Sequence, residues 1–286
     1  PNTLASGLKS NRTYLIAVVV ADITNSFFMD IGKGIENAIG NQKYSLVFAD
    51  THGDEKKELE VVKKLINRKI DGIVLASVSE KEDVLKECRK KNVPVVQVDR
   101  QIDDEDTNAV LWEDFRLAYT LAEHVIEKGH TNVAIENTRL GCSTGQHRLQ
   151  GYLEAFRSQG IRIDEENISA SNFEMQDAYE HVKSLLEKPK CPTCIICSNN
   201  IMVKGSLKAI QEKGLSIPED ISICCFGNIE TNEYSLTDIT NIQQDTRLMG
   251  RKAGELLLSQ INEENHCSVK IKLSGKMIER SSVRQI

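Results

Sequence analysis

The residues that most suggest chemistry are three cysteines spaced C-x-x-C-x-x-C, namely Cys191, Cys194 and Cys197. Zinc sites and iron–sulfur clusters use such spacing because thiolates close in sequence can converge on one metal. Here Cys194 and Cys197 end the apolar run CIIC. Side chains three residues apart on a strand point to opposite faces, and no fourth ligand stands at metal spacing. A redox reading of CPTC fails as well, since that motif opens a helix and this one enters a strand. GKGIENAIG, from Gly32 to Gly40, lacks the G-x-G-x-x-G spacing of a dinucleotide loop and begins inside a helical pattern. The six histidines, at 52, 124, 130, 147, 181 and 266, are scattered, and no nucleophile–base arrangement is readable. The sequence predicts a protein that is not an enzyme and carries neither metal nor cofactor.

Binding is the better use of its polar residues. These gather where apolar runs end: Asp22 to Phe28 (Asn25 and Phe27 among them), Ser77, Asp99 and Arg100. The runs themselves read as strands, the first of them buried on both faces as in a parallel sheet. They are 14–20 (YLIAVVV), 44–49, 70–76, 93–98, 132–135, 194–197 and 221–225. Between them lie helical patterns over 54–68, 80–91, 115–128, 146–159, 200–213 and 245–262. A further helix after Ser26 places Phe28, Ile31, Ile35 and Ala38 on one face. Gly129, Gly160 and Gly214 stand where three helices should stop. Two batches of strand–helix units, with about five strands each, predict an α/β protein of two doubly wound parallel-sheet lobes. In such sheets the C-terminal strand ends carry the ligand loops.

Composition has the balance of an ordinary soluble globular protein. The chain has 286 residues, a net charge of −6 and 40% hydrophobic residues. That charge argues against a broad nucleic-acid-coating surface. No apolar run approaches the roughly 18 residues of a membrane span, and no signal peptide is readable. Eight cysteines are too dilute for a disulfide scaffold and read as reduced thiols, which predicts a cytoplasmic location. The first twelve residues, PNTLASGLKSNR, are polar and small and need a partner to become ordered.

Read in order, these segments resemble the LacI/GalR family of transcriptional regulators. PNTLASGL resembles its hinge, and IAVVVADITNSFFMDIGKGIE its first strand and helix. IDGIVLAS, VPVVQVDR, EHVIEKGHTNVAI, HRLQGYLEAF, CSNNIMVKGSLKAIQEKGLSIPEDISI and ITNIQQDTRLMGRKAGELLL are similar to successive signatures of the family. The resemblance implies two periplasmic-binding-protein-like lobes joined by three crossovers, with an effector cleft between them. Residues 1–12 would be the hinge segment, 13–113 plus 241–268 a dimerising N-terminal lobe, and 114–240 plus 269–286 the C-terminal lobe. It implies a core that represses carbohydrate genes as a homodimer, in which a small molecule shifts the affinity for operator DNA. Family members carry a helix-turn-helix of roughly fifty to sixty residues before the hinge. Without one, base readout is lost, and this chain is expected to bind operator weakly. Asn2, Ala5 and Leu8 would form the DNA hinge, with Leu8 wedging into the minor groove. A transporter's periplasmic sugar-binding protein shares the fold. The eight cysteines, the hinge-like start and the missing signal peptide argue against it.

The same resemblance assigns effector contacts. Phe27 would stack on the ligand, Asp99 would accept hydroxyl hydrogen bonds and Arg148 would offer its fork of donors. Thr144 lies one helical turn before Arg148. Phe173 and Asn199 match a cleft aromatic and a ligand amide, and Gln244 lies at a crossover. Two departures stand out. Asn199-Asn200 replaces the usual Asn-Asp, and Cys225-Phe226-Gly227 replaces Gly-Phe-Asp. The missing carboxylates leave two readings open. One is a sugar acid or sugar phosphate, held by Arg148 and Arg100 with Asn200 and a free Gly227 N–H. The other is a neutral sugar, with Asn200 merely capping a helix and Gly227 merely a turn.

Overall fold

The structure is a computed structural model that describes residues 12–40, 42–172, 174–229, 238–262 and 267–286. The hinge positions Asn2, Ala5 and Leu8 and the candidate aromatic Phe173 lie outside the described residues. The strands are β1 (Leu15–Val20), β2 (Ser45–Asp50), β3 (Gly72–Leu75), β4 (Val95–Val98), β5 (Asn108–Trp112) and β6 (Val133–Thr138). They continue with β7 (Ile168–Ser171), β8 (Cys194–Cys197), β9 (Ser222–Phe226), β10 (Thr240–Gln243), β11 (Lys270–Leu273) and β12 (Lys276–Ile278). The α-helices among the described residues are α1 (Ser26–Ile39), α2 (Glu55–Asn67), α3 (Asp83–Lys90) and α4 (Asp114–Glu127). The others are α5 (Ser143–Ser158), α6 (Met175–Leu186), α7 (Asn200–Glu212) and α8 (Thr246–Ile261).

The chain divides into two compact units. The first takes the described residues of Pro1–Trp112 with Asp245–Leu273, and the second Glu113–Gln244 with Ser274–Ile286. The chain therefore passes between units three times. Residues 241–244, expected with the first lobe, fall in the second because β10 pairs with β9 and β12. Residues 269–273, expected with the second, fall in the first because β11 pairs with β5.

Each unit is built on a six-stranded sheet. The first sheet runs β11-β5-β4-β3-β1-β2 and is parallel throughout. The second runs β12-β10-β9-β8-β6-β7, and here the expected all-parallel sheet needs correcting, since the edge strand β12 is antiparallel to β10. Only Ser274 and Gly275 lie between β11 and β12, so the chain enters this edge without the crossover helix that brings a parallel strand beside its neighbour. Burial follows the composition. Ile16 to Val20 of β1 are buried, as a continuous apolar run requires, whereas the edge strand β2 leaves Val47 and Phe48 exposed.

Helices pack on these sheets in close pairs, and small residues set the spacing. On α5, a Cβ at Gly151 would collide with the Phe115 carbonyl of α4. On α7, a Cβ at Gly205 would collide with the Met175 carbonyl of α6 in the same way. In the first unit, Gly250 of α8 abuts the Ile31 carbonyl of α1, and Gly34 of α1 abuts the Arg247 carbonyl of α8. Val62, Leu65 and Ile66 of α2, and Met249, Ala253, Leu257 and Leu258 of α8, pack inside the first unit.

Candidate functional site

In the first unit, the predicted residues sit where β1, β3 and β4 end. Asn25 caps α1, its Oδ1 accepting from the Phe27 N–H at 3.1 Å. Phe28 enters the core, as its helical spacing predicts, while Phe27 is half-buried with its ring edge-on to Phe28. Ser77 is buried, and its hydroxyl donates to Glu58 Oε1 at 2.7 Å. The other Glu58 oxygen accepts from the Val78 N–H at 2.8 Å. Glu58 was not foreseen. It is a fully buried carboxyl in the first turn of α2. Burial pushes its pKa up from the ordinary glutamate value, against the hydrogen bonds from Ser77 and Val78 and the charge of Arg100.

Asp99 holds a left-handed backbone, φ 62°, just past β4. Aspartate is one of the few residues with a side chain that enters this region without heavy strain. Its Oδ2 lies 3.7 Å from Arg100 Nε, with both side chains buried. Arg100 also lies 5.8 Å from the centre of the Phe28 ring. Ser77 thus bonds a glutamate that sequence reasoning missed, Arg100 lies within its field, and Asp99 stands beside Arg100.

The second unit is organised around Arg148. This side chain of α5 is 6% exposed, so it is not a surface arginine. Its Nε donates to Asp114 Oδ1 at 2.7 Å and its Nη1 to the Ser198 carbonyl at 2.8 Å. Its guanidinium plane covers the Phe226 ring at 4.0 Å. Asp114, the first residue of α4, is itself buried. The pair therefore enters the protein charge-balanced. Ser198 and Phe226 each stand at the C-terminal end of a central strand, β8 and β9, where ligand loops of such sheets gather. Thr144 is buried one turn earlier on α5, with Oγ1 3.5 Å from Cys142 Sγ.

Two expectations change here, those for Asn200 and Gly227. The helix cap is Asn199, not Asn200: Asn199 Oδ1 accepts from the N–H groups of Ile201 and Met202 at 2.9 and 2.8 Å. Asn200 is the first helical residue and is half-buried. The Gly227 N–H is not free, because it donates to the Ile242 carbonyl at 2.9 Å and continues the β9–β10 ladder. Gln244, expected at a crossover, is the last residue of its unit before the chain leaves it, and is 3% exposed.

Cys194 and Cys197 are fully buried in β8, and Cys191 is exposed before the strand. Cys197 packs with Ile195 in the core under α6 and α7. Among the described residues no cluster of histidine, cysteine or acidic side chains is suited to holding a metal.

One ion pair in the second unit has a pH consequence. Glu136 of β6 is fully buried; it accepts from Ser169 Oγ at 2.6 Å and lies 2.6 Å from His181 Nδ1 of α6. Burial alone would lower the His181 pKa, but the hydrogen bond and charge of Glu136 outweigh it and the net shift is upward. A histidine whose native pKa is raised adds stability fully present below its unfolded value, about 6.5, and lost as pH rises through the native one. The urea midpoint of the protein minus that of His181→Gln should therefore shrink from acid to alkaline pH. A difference that stays constant, or grows with pH, counts against this linkage.

With this geometry in place, comparison with known proteins is direct. Residues 13–280 match the family described as periplasmic binding proteins and sugar binding domain of LacI family. The HTH-type transcriptional repressor PurR of Vibrio atlanticus (strain LGP32) is 30% identical over 288 residues, covering 100% of this chain and 86% of the relative. A putative ribose operon repressor from Burkholderia thailandensis superposes with a TM-score of 0.84 at 26% identity, covering 94% of this chain and 100% of that one. A LacI family transcriptional regulator from Enterococcus faecium, solved with bound ribose, superposes with a TM-score of 0.85 at 25% identity, over 95% of this chain and 99% of that one. The parallel-dominated sheets, the three passages between units and the match across nearly the whole chain lead to one conclusion: this chain belongs to the family of periplasmic binding proteins and LacI-type sugar-binding domains.

Proposed function

We propose that the chain is the effector-binding core of a cytoplasmic transcriptional repressor of carbohydrate genes, and that its effector is a neutral polyhydroxylated molecule of the sugar class. The observation that carries the ligand's charge is the buried Arg148–Asp114 pair. An anionic ligand needs uncompensated positive charge, because a buried charge without a partner is costly. Arg148 is already balanced by Asp114, and Arg100 stands beside Asp99 and within the field of Glu58. The Gly227 N–H, a donor that would favour a sugar acid, is taken by Ile242. A hydroxyl both donates and accepts, so it suits arginine and carboxylate side by side. The bound ribose of the Enterococcus faecium regulator fits this class.

Asp99, Arg100, Phe27, Ser77 and Asn25 in the first unit, and Arg148, Thr144, Asn199, Asn200 and Gln244 in the second, are the proposed effector residues. A thermal-shift screen of neutral sugars, sugar acids and sugar phosphates tests the ligand class. A neutral sugar at a hundred times its Kd should stabilise by about 2.7 kcal/mol. Stabilisation by the sugar acids or phosphates alone would refute this reading.

We further propose that the core works as a homodimer in which effector and operator binding are linked reciprocally. Support for a dimer comes from the exposed Val47 and Phe48 of edge strand β2, since natural proteins seldom leave such an edge uncovered. Sedimentation equilibrium at micromolar concentration should give twice the chain mass, and Phe48→Lys should shift it toward monomer.

A further inference from the structure

We infer that Asn228 is a positioning residue, which locks the backbone of Gln244 so that the Gln244 side-chain amide is presented as a hydrogen-bond donor to an oxygen of the effector. The inference rests on the proposed effector reading and deepens it.

Past its last strand residue, Phe226, β9 turns at Gly227 with φ 115°, a backbone that favours glycine. The Gly227 N–H still pairs with the Ile242 carbonyl, and the Gly227 carbonyl accepts from Asn241 Nδ2 at 2.9 Å. One residue further, the side chain of Asn228 takes over the ladder. Its Oδ1 accepts from the Gln244 N–H at 2.8 Å, and its Nδ2 donates to the Gln244 carbonyl at 2.7 Å. A primary amide is the one side-chain group that offers a donor and an acceptor side by side, as a peptide unit does. Asn228 thus satisfies both backbone groups of Gln244, the residue at which the chain leaves this unit.

The side chain of Gln244 shows what the lock serves. It is 3% exposed, and among the described residues its Nε2 has no hydrogen-bond partner. Buried polar groups are nearly always satisfied, so an orphan donor calls for an acceptor that arrives from elsewhere. Position 227 belongs to the same arrangement. A Cβ there would lie 3.3 Å from Gln244 Oε1 and would have to adopt a strained φ. The glycine that departs from the family pattern therefore leaves room for the Gln244 amide. At this edge of the second unit the buried group without a partner among the described residues is a donor amide, which selects an ether, hydroxyl or carbonyl oxygen on the ligand.

The test uses the whole chain and two independent readouts. Without ligand, amide hydrogen exchange at Gln244 should be faster in Asn228→Ala than in the unsubstituted protein, while exchange in the core strand β8 is unchanged. Asn228→Asp keeps the acceptor but sets a carboxylate against the Gln244 carbonyl, and should also speed exchange. With D-ribose as the probe, Asn228→Ala and Gln244→Ala should each weaken binding by about tenfold, the loss of one hydrogen bond. The double variant should be no weaker than Gln244→Ala alone. Unchanged exchange at Gln244 in Asn228→Ala overturns the lock, and additive losses in the double variant overturn the positioning role. If ribose does not bind, the neutral sugar that gives the largest thermal shift replaces it as probe; absence of binding by every neutral sugar screened would sink the proposed ligand class, and the exchange measurement would then decide the role of Asn228 by itself.

Discussion

Arg148→Ala should destabilise the second unit by about 3–5 kcal/mol, the largest single effect expected in this protein. The reason is the charge left behind. Asp114 is 4% exposed and its Oδ1 lies 2.7 Å from Arg148 Nε. Without the guanidinium, the buried Asp114 carboxylate at the start of α4 loses its charge partner and the Ser198 carbonyl loses this donor. Phe226 loses the cation that covers its ring. Arg148→Lys keeps the charge, but one ammonium cannot reproduce a flat fork that reaches a carboxylate and a carbonyl while stacking on a ring. It should fall between the two. The diagnostic variant is Arg148→Met with Asp114→Leu, which removes both charges. It should recover most of the stability lost in Arg148→Ala, because the single change is costly chiefly through the buried charge it leaves unbalanced by Arg148. Urea melts with unchanged m-values would measure all three. Equal losses in the double and single variants would mean that packing, not charge, holds this site.

Gly250→Ala should also destabilise, against what helix propensity predicts. In the interior of a helix, alanine is favoured over glycine by about 1 kcal/mol. At this position the methyl meets the Ile31 carbonyl of α1, and backbone cannot rotate away as a side chain can. Overpacking costs about 1–3 kcal/mol, and a clash with backbone puts it at the upper end, so the steric term wins with a net loss of up to about 2 kcal/mol. Lys252, two residues on, pairs with Glu255 at the surface, and Lys252→Ala serves as the control with no measurable change. A Gly250→Ala protein that melts above the unsubstituted one would show that α1 and α8 can separate at little cost.

Much of the architecture was legible because long-range order leaves local traces. The run LIAVVV is apolar at every position only because both faces of β1 are covered, and the sequence shows that directly. The 3.6-residue recurrence of Phe28, Ile31 and Ile35 is enough to distinguish the core phenylalanine from its neighbour Phe27. The edge strands left weaker traces. ISAS in β7, KIKL in β11 and KMI in β12 are short and face solvent on one side, so only their distant partners identify them as strands. Helix α6 was missed although Ala178, Tyr179, Val182 and Leu185 carry the right spacing, since the residues between them are mostly charged or polar.

The candidate site was legible by type and not by partner. Arg148 could be singled out, but Asp114 lies 34 residues earlier and looks like any acid opening a helix. Glu58 reads as one more acid in EKKELE, yet it is the buried hub that fixes Ser77. Gly227 looked like a vacancy left by an aspartate; its backbone angle and the proximity of Gln244 are three-dimensional facts with no local signature.

The end of β5 gives the protein a property of a different kind. Trp112 is the sole tryptophan of the chain, and it is the last residue before the first passage from one unit to the other. It is 3% exposed, and its indole N–H has no partner among the described residues. Its ultraviolet emission is therefore that of an indole shielded from water, arising from one place in the molecule. Any rearrangement that reaches this junction changes the colour or brightness of a single native chromophore, so the kinetics of effector binding can be followed by stopped flow without a label.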